Sequence, residues 1–230
     1  EEINMNEEEK VLVVKENVLA KNEEEAEIVR EELKKHDVYF VNVRSSPGSG
    51  KTTLLSKLIP CLEKKGLRIG VLEADIDGKE DRDTIKETTK AKVIQVHTSG
   101  ACHRTAQRTK ESIEALGLDD VDVVFLENIG NLVCPAEFDT GANQNRVLLS
   151  VPEGVDKPLK YPLRFQVAPL VVVTKMDTLP AFDFSFDRFN LNVRKRNPNA
   201  VIYAVSAKLD KGIDTLADYL YKNIEKTIRK

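Results

Sequence analysis

Apolar residues recur along this chain in seven short runs: Val38–Val43, Arg68–Leu72, Lys92–Val96, Val121–Leu126, Arg146–Val151, Leu170–Val173 and Ala200–Ala204. Most are nearly continuous rather than alternating, the pattern of strands buried on both faces. Helical patterns separate many of them. Leu54, Leu55, Leu58, Ile59 and Leu62 recur at helical spacing, so the first such segment is expected to run from Thr52 to Lys65. This order predicts an α/β protein with a mostly parallel sheet and helices on both faces. Residues 1–36 differ: Val11, Val14, Val18, Leu19, Ala26, Ile28, Val29 and Leu33 are spread through a glutamate-rich stretch, which suits one or two docked helices. The expected organisation is an N-terminal helical extension, 1–36, ahead of one main domain, 37–230. Pro152–Pro169 and Pro180–Phe186 are expected to be irregular connections.

In a parallel sheet, ligands bind at the carboxyl ends of the strands, so residues just after each apolar run share one edge. After the first run comes Arg44-Ser-Ser-Pro-Gly-Ser-Gly-Lys-Thr-Thr53, a glycine-rich turn between a strand and a helix. Backbone N–H groups of Gly48, Ser49, Gly50 and Lys51 would form a concave nest at a helix N-terminus, where the dipole favours a polyphosphate. Lys51 can reach the β and γ phosphates, Thr52 can ligate Mg²⁺, and Thr53 completes the loop. Ser45 stands where the general pattern has glycine.

The strand-end rule also selects Asp75, Glu127, Thr174–Asp177 and Ser206–Lys208. Thr174-Lys-Met-Asp177 resembles the guanine-recognition sequence of GTPases, whose aspartate accepts from guanine N1–H and the 2-amino group. Adenine offers neither donor there, which can discriminate by ~10⁴. Lys175 would lay its stem along the base ring. Ser206-Ala207-Lys208 matches the second base-binding signature, which supplies a backbone N–H to guanine O6. Thr174 replaces the usual asparagine, a change expected to cost about 1 kcal/mol of loop hydrogen bonding. Glu127 stands where an acid facing Mg²⁺ is expected, and Asp75 is placed either to orient water or to cap a helix. Asp81 and Arg82 fall in the nucleotide-sensing loop or are simply solvated.

A net charge of -3 with interspersed lysines and acids advertises no basic face for nucleic acid. No apolar run approaches the ~18 residues of a membrane span, and the acidic start is unlike a secretory leader. A cytoplasmic protein is expected. Three cysteines widely spaced argue against a disulfide framework. Cys102-His103 follows the third run and Cys134 the fourth, so all three share the nucleotide edge. Two thiols and an imidazole suit Ni²⁺ or Zn²⁺, with a fourth ligand from water, backbone, a carboxylate or a second copy of the chain. Ordinary buried cysteines are the alternative, and Cys61 is read that way. His36 and His97 are read as structural.

Taken together, Ser45–Thr53, Cys102-His103, Glu127-Asn-Ile-Gly-Asn-Leu-Val-Cys-Pro-Ala136, Phe138-Asp139 and Asp156-Lys-Pro-Leu-Lys-Tyr-Pro162 resemble the hydrogenase nickel-incorporation GTPase family, hydrogenase maturation factor B. The resemblance covers nearly all of residues 37–230, and that family accepts Ser-Ser-Pro ahead of the glycine. It implies a P-loop GTPase of the signal-recognition and nitrogenase-iron-protein class, with Lys51, Asp75 and Glu127 at the catalytic centre and Cys102, His103 and Cys134 as Ni or Zn ligands. It further implies a GTP- and metal-dependent homodimer, a small nickel-binding maturation protein as partner, and the hydrogenase large-subunit precursor as client; a low intrinsic GTPase rate is expected because a transition-state cation commonly comes from a partner. Three positions depart from the family: Ala74 for glycine, Thr105 for aspartate and Thr174 for asparagine. Two other readings remain open, a urease-type nickel accessory GTPase and a GTP-switched metal-binding module with negligible turnover.

Overall fold

The computed structural model describes residues 7–74, 79–96, 106–128 and 139–228. Seven strands form one sheet: β1 (Tyr39–Arg44), β2 (Ile69–Glu73), β3 (Lys92–Gln95), β4 (Val123–Glu127), β5 (Gln144–Ser150), β6 (Leu170–Thr174) and β7 (Val201–Ala204). Their order is β3-β2-β4-β1-β5-β6-β7, and every pairing is parallel. The expected sheet is therefore present and wholly parallel. Its helices are α1 (Glu7–Lys35), α2 (Lys51–Glu63), α3 (Lys79–Thr88), α4 (Ala106–Leu116), α5 (Lys157–Lys160), α6 (Pro162–Gln166), α7 (Phe186–Arg194) and α8 (Ile213–Ile228). None is long and apolar enough to cross a membrane among the described residues.

Period-two alternation divides the strand side chains between the two faces. Tyr39, Val41 and Val43 join α2, α3 and α8 on one side, with Phe125, Leu148 and Val172 beside them. Phe40, Val124 and Leu126 face α1 and α4 on the other, and Val147, Val171 and Val173 face α6 and α7. Each run reads as continuous because both of its faces are covered.

Residues 7–35 form one helix, the single-helix case of the two expected. On α1 the side chains of Asn22, Ala26, Val29 and Leu33 are buried, a stripe at helical spacing that includes one polar member. It lies against residues 139–141. Gly141 has φ +77°, and a Cβ there would stand 2.7 Å from Val29 Cβ and 2.8 Å from the Ala26 carbonyl oxygen. Below this contact Asn42, fully buried in β1, donates from Nδ2 to Thr140 (3.2 Å) and Asn145 (3.1 Å), and accepts from Asn128 (3.2 Å). Phe40 N–H, which has no β5 partner, donates to Asn143 Oδ1 at 2.7 Å.

Three local expectations change. Pro152–Pro169 is not wholly irregular: a 3-10 turn at Val151–Glu153, α5 and α6 each carry proline in the first turn, where its missing N–H and fixed φ start a helix rather than break it. Met176–Ala181 is likewise a 3-10 turn, and Phe184, Phe186 and Phe189 form a ring cluster where α7 begins. Cys61 is only partly buried, because its turn of α2 lies at the rim of the core, with Sγ 3.4 Å from Asp214 Oδ1. His36 lies 3.3 Å from both Glu32 and Asp119 at the surface.

Replacing Gly141 with alanine combines left-handed backbone strain with a backbone clash against α1. A loss of about 1–3 kcal/mol is expected, read from the urea midpoint at unchanged slope.

Candidate functional site

Arg44, Glu73, Glu127 and Thr174 end β1, β2, β4 and β6 at the same edge of the sheet, in register through β2–β4 and β4–β1. Between β1 and α2 the glycine-rich loop takes positive φ at Gly48 (69°) and Gly50 (85°), conformations that side chains resist. Ser45 has no positive φ and is fully buried, its hydroxyl donating to the Ser46 carbonyl at 2.7 Å, so glycine is not required there. Gly50 caps α2 without any side-chain hydrogen bond, leaving the helix's first N–H groups open to an anion.

Ser49 is where the loop is anchored. Its carbonyl accepts from Thr174 Oγ1 at 2.6 Å, in the interior. Its hydroxyl lies 2.7 Å from the Ser46 carbonyl and 2.9 Å from Glu153 Oε2, and its single proton serves one at a time. Glu153 Oε2 also accepts from Ser150 N–H (2.7 Å) and Ser150 Oγ (2.8 Å). Thr174 thus contributes a buried hydrogen bond of its own to the loop.

Lys175 stands in the left-handed region, φ 56°, and its ammonium donates to the Gly48 carbonyl at 2.7 Å. Its chain runs between two cavities and lines both. The first, of about 210 Å³, is bounded by Gly50, Thr53, Thr174, Asp177, Ala207 and Lys208, among others. Asp177 accepts from Ser206 Oγ at 2.6 Å, and this hydroxyl, against slight burial, holds the carboxyl below the usual aspartate range. Ser206 is fixed in turn by a two-way backbone bridge to Lys211, 3.0 Å each way. The base-recognition residues expected from sequence are therefore assembled on one wall.

The second cavity, of about 310 Å³, is lined by Gly48, Gly50, Lys51, Thr52, Asp81 and Glu127, among others. Lys51 is buried, and Thr52 Oγ1 donates to Glu127 Oε1 at 2.7 Å. Burial pushes the Glu127 carboxyl up, opposed by the Thr52 hydroxyl and the Lys51 charge. The Glu73 carboxyl, fully buried one strand away, lies beside it. Two carboxyls can hydrogen-bond only if one carries a proton; with both ionised, Glu127 Oε2 is buried without a donor. A hydroxyl and carboxylates converging beside a phosphate nest are the donor set of a hard divalent cation. Asp81, expected in a nucleotide-sensing loop or solvated, lies on α3 and lines this cavity; sequence reasoning missed Glu73 and Glu153, and strand-end position was the available signal for Glu73.

Asp75, Cys102, His103, Thr105, Cys134 and His97 lie outside the described residues. Among the described residues no group of three or more His, Cys, Asp or Glu side chains could hold a metal. A larger open groove, about 800 Å³, runs past Glu63, Arg68, Glu87 and Lys92 at the opposite end of the sheet and carries none of these motifs.

The family model described as the CobW/HypB/UreG nucleotide-binding domain matches residues 39–204. The chain is 39% identical over 212 residues to the hydrogenase maturation factor HypB of Rhizobium leguminosarum bv. viciae, covering 92% of this chain and 70% of that one. The crystal structure of HypB from Helicobacter pylori in complex with nickel has a TM-score of 0.82 at 34% identity, over 90% of this chain and 96% of that one. The signal recognition particle 54 kDa protein from Aeropyrum pernix K1, in complex with GDP, shares the fold at 14% identity and TM-score 0.55, over 84% of this chain and 49% of that one.

Thr174→Val keeps the shape but leaves the buried Ser49 carbonyl without its donor. A stability loss of about 1–3 kcal/mol is expected, together with weaker nucleotide binding, measured by denaturation and by fluorescent-nucleotide titration.

Proposed function

The chain belongs to the CobW/HypB/UreG nucleotide-binding family, and within it to the HypB hydrogenase maturation factors, and from that premise we propose that it is a GTP-hydrolysing nickel metallochaperone serving [NiFe]-hydrogenase precursor. One observation carries the nucleotide half of this reading: Thr174 and Lys175 bond directly to Ser49 and Gly48, so the base wall and the phosphate nest form one unit. Asp177, held ionised by Ser206, is the group that selects guanine over adenine. Ala207 and Lys208 offer backbone N–H groups toward O6, and Lys175 supplies its stem to the base.

On the phosphate side the N–H groups from Gly48 to Thr53 and the Lys51 ammonium hold the β and γ phosphates. Thr52 and Glu127 would hold Mg²⁺, their oxygens already converging. When bound, that ion supplies the charge that stabilises the transferring phosphoryl group. A cation at Glu127 favours its carboxylate form and so reverses the effect of burial. Asp75 is the proposed water-orienting group. A low intrinsic rate is expected where a transition-state cation comes from a partner.

The cargo half rests on Cys102, His103 and Cys134 as ligands of Ni²⁺ or Zn²⁺, with a homodimer, dependent on GTP and metal, completing the set. A small nickel-binding maturation protein and the hydrogenase large-subunit precursor are the proposed partners, in a cytoplasmic setting. The HypB structure with nickel and the hydrogenase-factor relatives support this assignment.

Purified protein with Mg²⁺ should turn over GTP in preference to ATP by a factor approaching ~10⁴, and Asp177→Ala should erase that preference. Lys51→Ala should abolish turnover; a variant that retained it would overturn the catalytic assignment. Separately, Ni²⁺ titration should give saturable binding that vanishes when Cys102, His103 and Cys134 are all alanine, and unchanged stoichiometry in that variant would remove the cargo assignment.

A further inference from the structure

Glu153 places a carboxylate against a loop that is built to hold an anion. On charge alone such a group weakens anion binding, so its place there calls for another reason. Part of the reason is local. Glu153 is the third residue of the 3-10 turn Val151–Glu153 and closes a capping box with Ser150, whose N–H and hydroxyl reach Oε2 at 2.7 and 2.8 Å. The capping box does not account for a third donor. Ser49 Oγ, 104 positions earlier and on the phosphate loop, lies 2.9 Å from the same oxygen. Oε1 is buried and has no hydrogen-bond partner among the described residues, so the hold of this carboxylate on the loop runs through Oε2.

The destination of the Ser49 proton follows from its two acceptors. The Ser46 carbonyl already accepts from the Ser45 hydroxyl at 2.7 Å and lies 3.4 Å from the Ser49 N–H. A carboxylate is the stronger acceptor, so the Ser49 hydroxyl donates to Glu153. The bond falls on the residue between the positive-φ glycines Gly48 and Gly50, where the backbone has most freedom to lose the shape of the nest. Its far end is firmly seated: Val151 is buried in the cluster against which Met176 and Leu179 of the base-side turn pack. Ser49 is thus held from two sides, its carbonyl by Thr174 and its hydroxyl by Glu153.

We propose that Glu153 is a positioning residue for the nucleotide: by accepting from Ser49 it holds the phosphate loop in the shape that receives the α and β phosphates. This rests on the nucleotide half of the proposed function and deepens it, giving the turn after β5 a part in nucleotide binding although Glu153 lines neither cavity. GDP and GTP share the phosphates that the loop cradles, so both depend on Glu153 alike. Guanine selection falls to Asp177, which Ser206 holds, and does not depend on it.

The test uses the full chain with Mg²⁺, titrated with fluorescent GDP and with a fluorescent non-hydrolysable GTP analogue. Glu153→Ala should bind both about 10-fold more weakly. Glu153→Gln keeps an oxygen acceptor for Ser49 and should stay within about twofold of wild type for both. Ser49→Ala removes the same bond from its other end, so the double alanine variant should lose no more than about 10-fold. Wild-type affinity in Glu153→Ala would overturn the proposal, and a lowered urea midpoint beside it would mark Glu153 as a turn cap alone. A loss confined to the GTP analogue, a glutamine variant as weak as the alanine one, or a loss of about 100-fold in the double variant overturns it equally. If Glu153→Ala does not fold, Ser49→Ala takes its place, and wild-type affinity in it is the overturning result. Lys51→Ala separates the two ideas. If it binds both nucleotides as wild type does, the nucleotide reading fails and this inference with it; if it loses them while Glu153→Ala does not, only the positioning role fails.

Discussion

An all-parallel sheet imposes one constraint from which the rest of the molecule follows: every strand must exit at the same edge and return by a crossover to begin the next. The seven exits therefore crowd together, and with them Arg44, Glu73, Glu127 and Thr174. The chain exploits that crowding by hydrogen-bonding neighbouring exits to one another. The exit of β6 holds the carbonyl of Ser49, and the turn after β5 reaches its hydroxyl. A loop of glycine and serine, flexible by composition, is thereby given fixed walls.

The same crowding concentrates charge where water is scarce. Arg44 is 3% exposed, and burial pushes its guanidinium down to about 10 despite the field of Asp139. Lys51, Glu73 and Glu127 are also buried, and Lys51 and Glu127 line one cavity. Such groups are costly to leave mutually unbalanced. Burial raises the Glu127 carboxyl, and the Thr52 hydroxyl and the Lys51 charge only partly oppose it.

Much of this was legible in the sequence because it depends on local order. Seven apolar runs became seven strands within a residue or two, and the Gly48–Thr53 loop and Asp177 fell where strand ends put them. What escaped is long-range and polar. Glu153 is separated from Ser49 by 104 positions, and Asn22 from Asp139 by 117; neither belongs to a motif, and each looks like an ordinary helical or surface residue until the fold brings its partner. The contact of Thr174 with the Ser49 carbonyl escaped for the same reason, since nothing local places that carbonyl within reach of its hydroxyl. Prolines 152, 158 and 162 were read as interruptions, although at a first helical turn proline is an initiator.

The reach of α1 across the chain also sets an order of events during synthesis. It leaves the ribosome before all the strands, and although β1 and α4 offer part of its seat earlier, that seat is not complete until residue 141 has emerged, more than 100 positions later. At 5–20 residues per second that is an interval of roughly ten seconds. During it Ala26, Val29 and Leu33 have no completed surface to cover them, while α2 and the first strands can already collapse locally. The high density of glutamate and lysine around that stripe keeps the waiting helix hydrated, so the polar character that marks α1 in the sequence serves the nascent chain as well as the finished protein.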